Sequence, residues 1–478
     1  MMNDIPYKIK IGVECHIQIN SNSKLFSTSP NQYTIKNNNF INEIDLGLPG
    51  TLPNVNKYVV NSALLLGHAL NSSINKNSTF VRKHYFYPDL PKGYQITQYK
   101  KPICTGGTVT VPLKEYNKII KICRIQIEED TGKSIHIEKS NFSFLNYNRS
   151  GIPLLEVVTD PNMYNKEEVI EFIKYLRSII ISLNISSCNM EKGEMRIDLN
   201  ISISNLNIIS EPIEIKNINS IKFLGQAIDY EINRQSLLLK EGIIQKKETY
   251  FWNSKTKSTK LLRVKEKEND YRYLRDPDLP SLYLSSLYIN NIKKYLPNLP
   301  YYRIRNLNFS KNTIYYFIKN LFLLNYIESI MKIHNNPHET GNWIINYLIK
   351  HLDTNKNNHI KYIPISINNM AIFIKLIDSM IINKNIAKLI FYNMLKNNKT
   401  SPILLKYRYF YKEEYSYNNK IETIVKNILD KYPNEVTRYK NGKLKLIGFF
   451  IKEVCQQSNN KYDPKIIKNL IQNNIIFH

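Results

Sequence analysis

Four residues in three separate segments have the types and phase to hold a hard metal ion. Glu14 and His16 lie two apart in KIKIGVECHIQI; in a strand they point the same way, about 7 Å from one another by strand rise. Glu128 has the same phase in ICRIQIEEDTGKSIHIE, and Glu214 has it in EPIEIKN. Three carboxylates and an imidazole suit Mg²⁺, which binds a few protein oxygens and keeps room for water and phosphate. His16 alone reads equally well as structural or metal-linked, and only its convergence with the carboxylates points to a metal. A merely solvated face gives a similar alternation, because charged surface residues need no special role.

The elements that must carry these residues are strands. From Lys8 to Ile19 the residues Lys10, Gly12, Glu14, His16 and Gln18 alternate with Ile9, Ile11, Val13, Cys15, Ile17 and Ile19. Ile125 and Ile127, then Ile135 and Ile137, alternate with Arg124, Gln126, Glu128, Ser134, His136 and Glu138, and Glu129 to Gly132 between them reads as the turn of a hairpin. Glu194, Arg196, Asp198, Asn200 and Ser202 form a third such side, and Glu214 and Lys216 a fourth. A period of two in every segment predicts one antiparallel sheet with a chemically loaded face. A period near 3.6 predicts helices over Val55 to Leu70 and Lys166 to Leu183, and a long helix after IKNINS with Asn217 or Asn219 near its start and Gly242 as its cap. DLGLPG reads as a turn. FVRKHYFYPDLPKGYQITQY fits neither period: it is a plain surface loop, or else Arg82, Lys83, His84, Tyr85, Tyr87, Asp89, Lys92 and Tyr94 form the rim of an active site.

A chain of 478 residues exceeds what one core usually supports, so two or three domains are expected. The formal charge of +26 is spread along the sequence and favours a polyanionic partner, although a bias toward Asn, Ile, Lys and Tyr raises lysine everywhere. Cys15, Cys104, Cys123, Cys188 and Cys455 form no C-x-x-C, which argues against zinc or a disulfide framework and for reduced thiols. No apolar run has the length of a membrane span, and MMNDIPYKIKIG lacks the features of a signal or transit peptide. The protein is expected to act where it is made. The absence of a phosphate loop and of a dinucleotide fingerprint disfavours those enzyme classes.

Long segments, in order, carry a resemblance: IGVECHIQI, SKLF, DLGLPGTLPNVN, YFYPDLPKGYQITQY, RIQIEEDTGKSIH, NRSGIPLLEVVTDP, CNMEKGEMRIDLNIS, EIKNINS and DYRYLRDPDLP. The chain resembles the GatB family, the B subunits of the aspartyl/glutamyl-tRNA amidotransferases, along its whole length. The resemblance implies an α+β fold, with an antiparallel-sheet catalytic cradle over residues 1–290, a helical domain over 291–405 and a small all-helical tail over 406–478 that binds the tRNA body. It implies ATP-dependent amidation of misacylated glutamyl-tRNA(Gln), aspartyl-tRNA(Asn) or both. The side-chain carboxylate is phosphorylated, and ammonia from an amidase-type glutaminase subunit displaces the phosphate. A small clamping subunit completes a heterotrimer, ATP and Mg²⁺ are the cofactors, and the setting is the cytoplasm of a bacterium or endosymbiont.

Carried over by motif, Glu14, His16, Glu128 and Glu214 resemble the Mg²⁺ and ATP-handling group. Glu129 and Lys133 share the IEEDTGK motif and contact nucleotide or line the ammonia exit. Lys83, Tyr87, Asp89, Lys92 and Tyr94 resemble the rim at the aminoacyl end. In the tail, Tyr439, Lys440, Lys443, Lys445 and Lys452 are candidates for phosphate contacts, which position an RNA without reading its bases. Two departures stand out. Many members have C-x-C after SKLF and C-x-x-C before LGLPG, a zinc pattern; this chain has Ser27, Ser29, Asn42 and Asp45 there, so no structural zinc is expected. A lysine-, glycine- and alanine-rich turn of the tail is replaced by Asn459, Asn460, Lys461 and Tyr462. A non-catalytic tRNA-binding or scaffold subunit is the alternative, and it leaves the gathered carboxylates without a task.

Overall fold

The computed structural model describes residues 7–137, 141–205, 209–264, 271–305, 309, 314, 317, 320–352, 363–397, 400–458 and 464–477. Glu138 and the tail residues Asn459, Asn460, Lys461 and Tyr462 lie outside the described residues. The chain divides into two compact units, Met1–Asn325 and Tyr326–His478. The fold is α+β, with a sheet in the first unit and helices in the second.

The strands that matter for the site are β1 (Lys8–Gln18), β2 (Val81–His84), β3 (Tyr94–Thr97), β4 (Asn117–Glu129), β5 (Pro153–Thr159), β6 (Met195–Ser204), β7 (Ile213–Ile218), β8 (Glu248–Asn253) and β9 (Ser258–Val264). In the ten-stranded sheet the order is β9-β8-β7-β6-β1-β5-β4, continued by Cys104–Thr105 and Ser73–Ile74, with Thr108–Pro112 also paired to β4. β1 is central, antiparallel to β5 and to β6. Its odd residues Ile11, Val13, Cys15 and Ile17 are at most 1% exposed, as are Ile197, Leu199, Ile201 and Ile203 of β6 and Ile125 and Ile127 of β4. Burying one such side chain contributes about 1.5–3 kcal/mol. A one-residue slip would turn all of them to the polar side, so this row fixes the register.

Helices α1 (Lys57–Ala69), α2 (Lys166–Ser182) and α3 (Ile221–Lys240) start at Asn56, Asn165 and Ser220, whose side chains accept from amides of the first turn. α3 packs on β6, β7 and β9 through Leu224, Ala227, Ile228 and Leu239. Among the described residues no helix is long and apolar enough to cross a membrane.

The structure corrects several expectations. Ile122–Glu129 and Lys133–His136 are not a hairpin: the second segment pairs with Ser143–Asn146 in a separate two-stranded sheet. The Asp130 amide donates to Ile152 O at 2.8 Å and the Gly132 amide to Asp89 O at 2.8 Å, which draws the chain out of the sheet. The large sheet also has one parallel pair, β7 with β8, because α3 lies between them as a crossover helix. FVRKHYFYPDLPKGYQITQY contains the antiparallel pair β2–β3, whose alternation is hidden by charged residues on strands of four residues each. The first two residues of DLGLPG end a four-residue helix, Glu43–Leu46, closed by an Asn42–Asp45 capping box and a left-handed Gly47. Ser220, not Asn217 or Asn219, caps α3.

Candidate active site

Antiparallel pairing sets side chains directly opposite one another on the same face. His16 of β1 faces Glu156 of β5 on one side and Arg196 of β6 on the other, and Glu156 in turn faces Gln126 of β4. One row along, Glu14 faces Asp198, and beyond it Asn200 faces Glu214. The loaded face read from the alternation therefore exists, and it carries three groups of charges.

The first group is His16, Glu128 and Glu156, which offer ligand atoms all within 4.8 Å of one another. His16 Nε2 lies 3.3 Å from Glu128 and 3.7 Å from Glu156, and both carboxylates are buried. Burial, then the neighbouring Glu128, pushes the Glu156 carboxyl up to about 7, against the pull of His16. Two buried carboxylates thus converge on one imidazole nitrogen. The donor set fits Mg²⁺ or Mn²⁺, with three protein ligands and positions left for water or phosphate oxygens.

In the second group, Lys216 Nζ bridges Asp198 at 2.8 Å and Glu214 at 2.9 Å. Burial would lower its pKa, but the two carboxylates outweigh burial and raise it. Glu214 also accepts from Thr249 Oγ1 at 3.0 Å, and Glu14 accepts from Asn200 Nδ2 at 2.8 Å. Glu14 and Glu214 thus share the face with His16 and Glu128 but sit in different hydrogen-bond groups. The third group is Asp130 with Arg196 at 2.8 Å and Arg149 at 3.4 Å. Burial would raise the Asp130 carboxyl, yet the two guanidinium groups hold it below the usual carboxylate range.

Glu129 does not join Glu128. Its carboxylate takes the Lys92 ammonium at 2.5 Å and the Ile96 amide at 2.9 Å, and burial holds its pKa up despite Lys92. Of the rim residues, Lys83 lies over the Tyr271 ring, Tyr94 sits 4.3 Å beneath the Arg82 guanidinium, Tyr87 is exposed, and the Asp89 carbonyl holds Gly132. Lys133 is exposed on its separate strand. Glu156, Asp130 and Arg149 were not singled out from the sequence. The one signal for Glu156 is a lone carboxylate inside the run PLLEVVT, every residue of which is buried.

Ser27, Ser29, Asn42 and Asp45 do come together. The fully buried Lys24 ammonium donates to Asp45 at 3.0 Å, Ser27 Oγ donates to the same carboxylate at 2.7 Å, and the Asn42 amide donates to it at 3.1 Å. One carboxylate already engaged by an ammonium and two other donors is a poor zinc ligand set. In the second unit, Lys440, Lys443, Lys445 and Lys452 are exposed, whereas Tyr439 packs against a helical core built on Ile421, Val425, Phe450, Val454, Ile467 and Ile471. The helix Pro402–Lys431 runs through position 405 and supplies part of that core.

Residues 9–290 match the family described as the GatB/GatE catalytic domain, and residues 325–475 match one described as a GatB domain. The chain is similar to a protein of Thermodesulfovibrio yellowstonii named as the B subunit of aspartyl/glutamyl-tRNA(Asn/Gln) amidotransferase, with 37% identity over 475 residues, 97% of this chain and 98% of the relative. A protein of the same name from Clostridium novyi is 38% identical over 475 residues, 97% of this chain and 98% of the relative. Another, from Rickettsia rickettsii, is 37% identical over 473 residues, 97% of this chain and 96% of the relative.

Proposed function

The chain belongs to the GatB/GatE family, and from that premise we propose that it is the component of an aspartyl/glutamyl-tRNA amidotransferase that activates the aminoacyl end of a misacylated tRNA. The observation that carries this reading is the group of His16, Glu128 and Glu156 on the polar sheet face, two buried carboxylates and an imidazole whose ligand atoms lie within 4.8 Å of one another. The substrates are ATP and glutamyl-tRNA(Gln), aspartyl-tRNA(Asn) or both. An amidase-type glutaminase subunit and a small clamping subunit are the proposed partners in a heterotrimer, and the cytoplasm is the proposed compartment.

An oxygen of the substrate's side-chain carboxylate attacks the γ-phosphorus of ATP, the bond to the β,γ-bridging oxygen breaks, and ADP leaves. Ammonia then attacks the acyl phosphate carbon; the C–O bond breaks, phosphate departs with the electron pair, and the new nitrogen loses a proton to give the amide. His16, Glu128 and Glu156 would hold a Mg²⁺ ion. When bound, it offsets the negative charge of the phosphoryl group in flight. Glu14 and Glu214, with Asp198 and Lys216, lie along the same face and belong to the ATP-handling side. Lys92 pairs with Glu129 and orders the rim. Lys83, Tyr87, Asp89 and Tyr94 receive the aminoacyl end, while Glu129 and Lys133 are assigned to the nucleotide and ammonia side without a division between them. We assign chemistry to residues 1–290, a helical connection to 291–405 and the tRNA body to 406–478, through Tyr439, Lys440, Lys443, Lys445 and Lys452.

The test is Glu128→Ala in the reconstituted complex. ATP-dependent amidation should be abolished while the three proteins still co-purify. Amidation and ATP consumption at the parental rate would remove Glu128 from the reaction.

A further inference from the structure

Beside the ligand group the chain gathers aromatic rings from distant segments. Tyr85 follows β2, Tyr99 follows β3, and Tyr271 and Tyr273 precede the short strand Leu274–Arg275, which pairs with β2. The rings make one ladder. Tyr85 meets Tyr271 edge-on at 6.4 Å, Tyr271 meets Tyr273 at 6.0 Å, and Tyr273 lies flat on Tyr99 at 4.3 Å with 4° between the planes. The Lys83 ammonium sits 4.7 Å from the centre of the Tyr271 ring.

All four rings are half-buried, and none belongs to the apolar core of the sheet. The ladder also borders the carboxylates. Burial first, then Glu128, raises the Tyr85 phenol; burial and Tyr271, then Glu156 and Glu128, raise that of Tyr273. A partly open row of rings that includes one flat-stacked pair, with a cation over Tyr271 and carboxylates nearby, matches a planar base attached to a phosphate chain or a phosphodiester end.

We propose that the tyrosine ladder of Tyr85, Tyr271, Tyr273 and Tyr99 is a stacking platform for adenine. The proposal rests on the amidotransferase reading, in which two molecules carrying adenine meet at this face: ATP and the terminal adenosine of the tRNA. The chemistry of the base is shared by both sources. Tyr273 is the ring that joins the flat pair to the rest of the ladder, so it is the position to change.

The experiment uses the complex with its full-length chain and two fluorescent probes. In one arm 2-aminopurine replaces the adenine of a non-hydrolysable ATP analogue; in the other it replaces the terminal adenine of the tRNA. Stacking on a ring quenches the probe. Quenching in the nucleotide arm assigns the platform to ATP, quenching in the tRNA arm assigns it to the tRNA end, and either result requires Tyr273→Phe to keep the signal and Tyr273→Leu to lose it. The KM for the molecule so identified should rise roughly 10- to 100-fold in Tyr273→Leu and stay near the parental value in Tyr273→Phe. No quenching in either arm, or quenching and KM unchanged in Tyr273→Leu, overturns the proposal. A parental complex that amidates without quenching condemns only the platform; one that quenches without amidating condemns the amidotransferase reading instead.

Discussion

A carboxyl pushed up to about 7 by burial and by Glu128, as Glu156 is, is half protonated near neutral pH, and a divalent cation is the group that would favour its ionised form. Glu156→Gln keeps the shape and removes the charge, so it should weaken Mn²⁺ binding by about tenfold or more, read from the free-ion signal in electron paramagnetic resonance. Unchanged Mn²⁺ affinity would take Glu156 out of the ligand set. The residue was hard to find in the sequence because β5 is covered on both faces and Glu156 stands alone among apolar residues in Pro153–Thr159. Glu14, His16, Glu128 and Glu214 were legible because polar and apolar residue types alternate along β1, β4 and β7, although Glu128 and Glu214 are themselves buried. The cysteines offer a second check. Burial pushes the Cys104 and Cys188 thiols up to about 12, whereas Cys123 is exposed. Native protein at pH 9 should therefore lose Cys123 to a thiol reagent promptly and keep Cys15, Cys104 and Cys188 until it unfolds. Raised native thiol pKa values favour the fold below the unfolded value, near 8.5, and that contribution is lost as pH rises toward the native values. Alkaline destabilisation should accordingly develop between about pH 9 and 12. Rapid titration of three or more thiols in folded protein would contradict the burial of Cys15, Cys104 and Cys188.

The element that most needs holding is the loop between β1 and α1, which carries no long secondary structure. Lys24, Ser27, Asn42 and Asp45 anchor it, and Gly151 closes over it: with φ at +80°, its Cβ would lie 2.9 Å from an Asp45 oxygen. Asp45→Ala strands a buried ammonium and should cost about 3–5 kcal/mol in denaturant unfolding, while replacing Lys24 and Asp45 together by Met and Leu should cost much less. Equal losses for the single and the double change would show that the pair is not coupled. Purified protein should carry substoichiometric zinc and keep its melting temperature in a strong chelator; one tight zinc per chain in elemental analysis would contradict this assignment. At this scale the sequence was read well where one face is greasy and poorly where contacts are non-local. The helices Lys57–Ala69 and Lys166–Ser182 fall within one or two residues of expectation. The partner of Lys133–His136 was missed because Gly132 is held by Asp89, more than forty residues earlier, and no local pattern encodes that bond.

For the whole molecule, the proposed function would give the charge of +26 and the lysines of the tail to affinity, and the sheet to chemistry. Removing the tail after residue 405 would cut the helix Pro402–Lys431, which also packs on Ile367–Asp378 and Lys384–Lys396. Charge removal is the cleaner perturbation. Replacing Lys440, Lys443, Lys445 and Lys452 together by alanine should weaken tRNA binding and flatten its logarithmic salt slope by about 3 units, with the activity of the proposed glutaminase subunit retained. Equal affinity and slope would mean that the lysines only reflect a composition rich in lysine. The family was legible throughout because its motifs sit on sheet strands and rim turns, where chemistry and backbone geometry restrict residue choice; the helical part, held by interchangeable apolar packing, gave much less. The most direct measurement is reconstitution with the two proposed partner proteins, ATP, glutamine and each misacylated tRNA, followed by release and identification of the attached amino acid. The account predicts glutamine from glutamyl-tRNA, asparagine from aspartyl-tRNA, or both, with one ATP consumed per amide formed and neither product without ATP. Recovery of only glutamate and aspartate from an assembled complex that binds the tRNAs, with no ATP consumed, would contradict it.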